Sequence, residues 1–126
     1  MRRFGRGRGA NFGWDAFEGN HEYEGGSAPG HVRPVIEHSH DDDGFCSITG
    51  GYVLRHSSYG GLRGMYVYGD YCEGIVRGAR LGPGSANGRT RFDNTQVSEL
   101  SSFGQDARGR VYAVSLNGPV YRLVPR

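Results

Sequence analysis

The densest set of potential ligands is His38-Ser39-His40-Asp41-Asp42-Asp43, where five side chains able to bind a metal fall within six residues. Their order matches neither the alternating oxygens of a calcium loop nor the helical His spacing of a zinc protease. An acidic turn leading into a strand accounts for them as well, so His38, His40 and Asp41 stand as weak metal candidates and no metal site is expected. The five histidines, His21, His31, His38, His40 and His56, sit in loops or at strand ends. None has an orienting carboxylate motif of the kind a general base needs, and no residue is assigned as catalytic. The two cysteines, Cys46 and Cys72, can form a disulfide or remain free buried thiols. Closing the intervening loop (72 − 46 = 26) would contribute about 3–4 kcal/mol in the chain-entropy model, and the bond would require an oxidising compartment. Asn11–Gly19 packs Phe12, Trp14 and Phe17 between glycines, either as a loop plug or as a stacking platform for a sugar. Trp14, Arg55, Tyr59 and Tyr71 are the candidate ligand-facing residues, with a carbohydrate or a protein as ligand.

These groups must be positioned by short strands. Tyr52-Val53-Leu54 and Met65-Tyr66-Val67-Tyr68 are β-branched and aromatic runs either side of the turn-forming His56–Gly61, and each has one cysteine nearby. If the two runs pair, the cysteines can meet. Val32–His38 alternates, with Pro34 restricting it to an edge strand. Ile75–Leu81 reads as a further strand, Gly82–Gly88 as a loop, and Arg89–Leu100 as a weakly patterned outer strand ending near Val97. Ser101–Asp106, Val111–Leu116 and Pro119–Val124 complete the set, the last two joined at Asn117-Gly118, the strongest hairpin signal in the chain.

Composition points the same way. With 23 glycines in 126 residues and no sustained apolar spacing of three and four, a helical bundle is excluded and an all-β fold with many turns is expected. A net charge of +2 is too mild to imply a nucleic-acid partner, and no apolar run approaches the ~20 residues of a membrane span. No apolar segment of signal-peptide type follows Met1, although a disulfide would call for export. Residues 1–10, MRRFGRGRGA, read as an Arg/Gly-rich disordered tail.

The two hairpins repeat. Arg63-Gly64-Met65-Tyr66-Val67-Tyr68 leading to Gly74-Ile75-Val76-Arg77 parallels Arg108-Gly109-Arg110-Val111-Tyr112-Ala113 leading to Gly118-Pro119-Val120-Tyr121-Arg122. The opening glycines lie 45 residues apart (109 − 64 = 45), a period typical of propeller blades. The expected fold is therefore about two four-stranded antiparallel blades of an incomplete β-propeller within residues 11–126, blade-like units falling at about 45–100 and 101–126. The second unit lacks a fourth strand, and self-association through open blade edges is expected.

The motifs NFGWDAFEG, SITGGYVLR, LRGMYVYGDYCEG and SSFGQDARGRVYAVSLNGPVYRL, in this order, resemble the C-terminal third of the glucose/sorbosone dehydrogenase family over Asn11–Pro125. The resemblance implies a six-bladed propeller, secreted or periplasmic, whose enzymes oxidise sugars with pyrroloquinoline quinone and calcium. It also implies that the blade with the catalytic histidine and the calcium ligands lies outside this chain. The family's quinone-binding lysine would fall where Cys72 and Glu73 stand, and its two arginines near Glu99 and Ser101. An anionic cofactor needs cations there, so quinone is not expected to bind, and calcium is not expected because its ligands lie outside this chain. The expectation is a fragment inactive alone, with a non-enzymatic secreted module binding carbohydrate or protein as the alternative.

Overall fold

The computed structural model describes residues 9–125, and of Asp42 and Asp43 the backbone only. The reading of the first ten residues as a tail falls, up to Arg8, outside the described residues. The chain divides between Glu37 and His38 into two compact units.

The first unit is built on a two-stranded hairpin, β1 (Phe17–Glu18) with β2 (His21–Glu22), turned at Gly19-Asn20. Gly19 sits at φ +63°, where a side chain would be strained and would also press on the Glu37 carboxyl. The hairpin extends outward through Tyr23 N–H to Ala16 C=O and Glu24 N–H to Asp15 C=O. Phe17 stacks on His31 at 4.5 Å, so the aromatic loop is partly a plug. Val32–His38, expected as an edge strand, carries no strand. Val32 N–H bonds to Asn11 C=O in the loop layer, and Pro34 has no N–H to give a ladder.

The second unit opens with one helical turn, α1 (His40–Asp43), and then forms two antiparallel sheets. The first has order β3-β4-β5-β6, from Ile48–Val53, Tyr66–Asp70, Ile75–Gly82 and Ser85–Gln96. The second has order β7-β8-β9, from Leu100–Gln105, Val111–Ser115 and Val120–Arg122. The fold is thus all-β with three small antiparallel sheets, none of them closed into a barrel. Residues 82–88, expected as a loop, instead make a tight hairpin. Gly82 pairs with Ser85 around Pro83-Gly84, and the Gly84 φ of +72° supplies the turn.

Leu54, Val67, Val76, Val97, Leu100, Phe103, Val111 and Ala113 form the core between the two sheets of this unit. Leu100 is fully buried, which stabilises by about 2–3 kcal/mol relative to leaving it in water. Glycine lets the layers approach. A Cβ on Gly51 would lie 1.8 Å from the Val67 carbonyl oxygen, and one on Gly69 2.4 Å from the Leu100 side chain.

Candidate functional site

Asp70, the last residue of β4 and marked by no sequence motif, organises the staple. The side chain is completely buried, and its four lone-pair directions are all used. One oxygen accepts from the backbone N–H of Cys46 (3.0 Å) and Ser47 (2.7 Å), the other from Cys72 (2.8 Å) and Glu73 (3.1 Å). The carboxylate thereby ties together the two backbone segments that the Cys46–Cys72 disulfide joins covalently, with 5.8 Å between the Cα atoms. Cys46, Asp70 and Cys72 are the only three donor-type side chains clustered within coordinating distance among the described residues. With both sulfurs bonded to each other and the carboxylate saturated by N–H groups, the cluster is a structural knot.

The metal candidates are placed differently. His38 Nε2 lies 3.0 Å from the Tyr68 hydroxyl, and its ring stacks on Phe45 at 4.0 Å, with the Arg77 guanidinium over the other ring at 4.9 Å from the Phe45 centroid. His40 and Asp41 are exposed on α1, where Asp41 N–H bonds to Ser39. Among the described residues these three do not form a ligand set.

Of the ligand-facing candidates, Tyr59 is a core residue: it is buried, and its hydroxyl accepts from Val111 N–H at 2.7 Å, linking the turn after β3 to β8. Arg55 is exposed and Tyr71 half-buried in the same unit, with Tyr71 N–H bonded to Ser47 C=O. Trp14 belongs to the first unit. It is 69% exposed and stacks on Tyr23, itself 54% exposed, with centroids 5.2 Å apart and planes 26° from parallel. Tyr23 escapes a reading of sequence because it lies nine positions away and meets Trp14 only when the β1–β2 hairpin folds back. Around this pair the backbone carries the exposed carboxylates Asp15, Glu18, Glu22 and Glu24. Below the hairpin, Glu37 accepts from the Asn20 amide and pairs with His21 at 2.8 Å, and the Asn20 hydrogen bond is the main cause that lowers its pKa.

The second unit has a half-open cleft of about 630 Å³ where its two sheets diverge. It is lined by residues 91–96 of β6 with Val97 just beyond it, by Tyr121–Pro125, and by core side chains such as Leu54, Val67 and Val76. At the far end, Asp106 closes the β7–β8 turn. Partial burial would raise its pKa, but bonds from Arg110 N–H and guanidinium, from the Tyr112 hydroxyl and from Arg108 N–H outweigh it and hold the carboxyl at about 2. The same contact raises the Arg110 pKa.

No family model matches the chain. Among curated proteins it is similar to the HIPL1 protein of Arabidopsis thaliana, 32% identical over 150 aligned residues that cover 93% of this chain and 21% of that protein. The chain thus spans about a fifth of the length of that relative. No solved structure matches.

These findings overturn the resemblance to glucose/sorbosone dehydrogenases, because no match indicates that family. The residues at the positions implied for its cofactor contacts are engaged within the chain. Cys72 is consumed in the disulfide, and Glu73 places its carboxylate on Arg77 (2.7 Å) and Arg91 (2.8 Å), so those cations are neutralised within the sheet. At the other implied position, the Ser101 hydroxyl donates to Val114 C=O. What does stand is the disulfide itself, which fits an oxidising, extracellular-type environment. Among the described residues no helix is long and apolar enough to cross a membrane.

Proposed function

We propose that this chain is a non-enzymatic module of an exported protein that binds carbohydrate, with Trp14 and Tyr23 as the stacking platform. The observation that carries the reading is that stack: two large rings more than half exposed, held face to face on a hairpin whose ends are bonded. The free faces of the rings suit the apolar face of a pyranose, and burying them removes apolar surface from water at about 25 cal/mol per Å². The carboxylates of Asp15, Glu18, Glu22 and Glu24 are acceptors for sugar hydroxyls at the rim.

In the same reading, the four- and three-stranded sheets are successive blade-like units of a propeller. Gly64 and Gly109, which open the repeated hairpins, have φ of +82° and +81°, so the repeat extends from sequence to backbone conformation. The three-stranded sheet leaves β9 exposed along its length, whereas β4 of the four-stranded sheet is buried on both faces. Isothermal titration with glucose, galactose, mannose and xylose, and affinity electrophoresis in β-1,3- and β-1,4-glucans, test the function. Binding with Kd near or below ~1 mM, about −4 kcal/mol, weakened at least tenfold by Trp14→Ala and by Tyr23→Ala, is expected. Retardation unchanged by both substitutions, or none with any probe, rules the platform out.

A further inference from the structure

The chain contains two Asn-Gly pairs, Asn87-Gly88 and Asn117-Gly118. Such a pair can modify itself without an enzyme, because glycine has no Cβ to obstruct its own nitrogen as that nitrogen closes on the preceding side chain. The fold puts the two pairs under opposite conditions. Asn117 is locked: its backbone N–H donates to Ser115 Oγ at 3.1 Å, and its side-chain Nδ2 donates to Ser98 Oγ at 3.0 Å. Gly118 N–H in turn donates to Ser115 C=O at 3.2 Å. The amide of Asn117 and the nitrogen of Gly118 are thus both tied down in the β8–β9 turn. Two neutral hydrogen bonds, one at each reacting group, must break before the groups meet, which slows the encounter by roughly tenfold.

Asn87 lies on β6, where the ladder with β5 slips. The register passes from Leu81 with Ala86 and Arg80 with Asn87 to Gly78 with Thr90, so that Gly88 and Arg89 together oppose Ala79. This is a bulge, and Gly88 occupies it at φ +57°. Asn87 and Gly88 are both exposed, and the Asn87 side chain makes no hydrogen bond to another described residue. A Cβ built on Gly88 would meet nothing within 4 Å, so there is open space beside the peptide that has to react.

We propose that Asn87 is a self-modifying position at which the folded chain deamidates, while Asn117 is protected. Gly88 N, its proton taken by hydroxide, attacks Asn87 Cγ. The new C–N bond closes a five-membered succinimide, the Cγ–Nδ2 bond breaks, and ammonia leaves with a proton from water. Water then opens the ring at either carbonyl, so one water is consumed and one ammonia released overall. Breaking the bond from Gly88 N to Cγ gives aspartate. Breaking the bond from Gly88 N to the backbone carbonyl carbon gives isoaspartate, whose main chain runs through Cβ and lengthens the strand by one atom at the bulge. In the aspartate form the new carboxylate lies opposite Arg80 across the ladder, an attractive cross-strand pair where a neutral amide stood. The inference rests on the second unit alone and is independent of carbohydrate binding by the first.

The full chain is held folded at mildly alkaline pH, sampled over time and digested with trypsin, which cuts after arginine and leaves one Asn-Gly pair in each of the peptides 81–89 and 111–122. Conversion is read as the mass gain of amide to acid, and electron-transfer fragmentation separates aspartate from isoaspartate. Peptide 81–89 is expected to convert roughly tenfold faster than peptide 111–122, with both products present. In denaturing urea, where the bonds to Ser98 and Ser115 are gone, the two rates are expected to converge. Asn87→Gln, whose longer side chain disfavours the ring, is expected to silence peptide 81–89 and leave peptide 111–122 unchanged. Equal rates in the folded chain, faster conversion at Asn117, or no mass gain in peptide 81–89 would overturn the proposal. So would a rate difference that persists undiminished in urea, which would make it a property of the local sequence and not of the fold.

Discussion

Replacing Asp70 by asparagine alters almost no volume but inverts the chemistry of one of its two acceptor atoms. The amide oxygen can still receive one pair of backbone N–H groups, either Cys46 and Ser47 or Cys72 and Glu73. The NH2 group then faces the other pair, donor against donor. Two hydrogen bonds to a charged acceptor are lost, at about 1.5–3 kcal/mol each, so the cost is about 3–6 kcal/mol. Rotation of the side chain cannot relieve this, because both pairs are backbone and the site is completely buried. Urea unfolding of the full chain, followed by far-ultraviolet circular dichroism, measures it as a fall in midpoint at unchanged slope. Since the carboxylate and the disulfide hold the same segments, the loss is expected to grow when the disulfide is also reduced. A shift below about 0.5 kcal/mol in either redox state would refute the assignment of Asp70 as the organiser of the staple.

Reduction of Cys46–Cys72 alone is expected to cost about 3.5 kcal/mol from the entropy of the 26-residue separation, read in the same assay with and without reductant. Asp106 contributes to the acid limb of stability. Its carboxyl, held at about 2 against an unfolded value of 3.8, stabilises the fold at pH above about 4, and this contribution is lost as pH falls through about 2. Unfolding midpoints between pH 5 and 2 should fall less steeply in Asp106→Asn than in the parent; identical slopes would contradict it. Gly51→Ala places a Cβ into the Val67 carbonyl and is expected to separate β3 from β4, costing more than about 2 kcal/mol and exposing the β4 amides to exchange.

β3 and β8 are legible because their side chains alternate in burial, and β4 because it is a continuous β-branched and aromatic run buried on both faces. Val111, Ala113 and Ser115 are buried while Tyr112 and Val114 are half-exposed, and the sequence VYAVS shows that period directly. β6 is only partly legible. Its first half, SANGRT, pairs through backbone groups that any residue supplies, and its glycines and polar side chains imitate a loop. Val32–His38 fails in the opposite direction: its residue types alternate, but its burial does not, and no strand pairs with it among the described residues. Asp70 is invisible because its meaning depends on N–H groups up to 24 residues away, and an aspartate at the end of a strand looks like an ordinary strand boundary. Tyr59 misleads for a related reason, since its hydroxyl is satisfied by Val111, which only the packing of the two sheets brings near. Trp14 stands out by its type, while the Tyr23 ring that gives it a defined orientation does not.

The single tryptophan makes the carbohydrate reading directly measurable. Emission from Trp14 in the full chain, titrated with the sugar or glucan fragment that binds best, is expected to shift to shorter wavelength and saturate as its exposed face is covered. In Tyr23→Ala the same titration should require at least tenfold more ligand. An emission spectrum that stays fixed while calorimetry reports binding would place the ligand elsewhere and contradict the assignment of the Trp14–Tyr23 stack as the site.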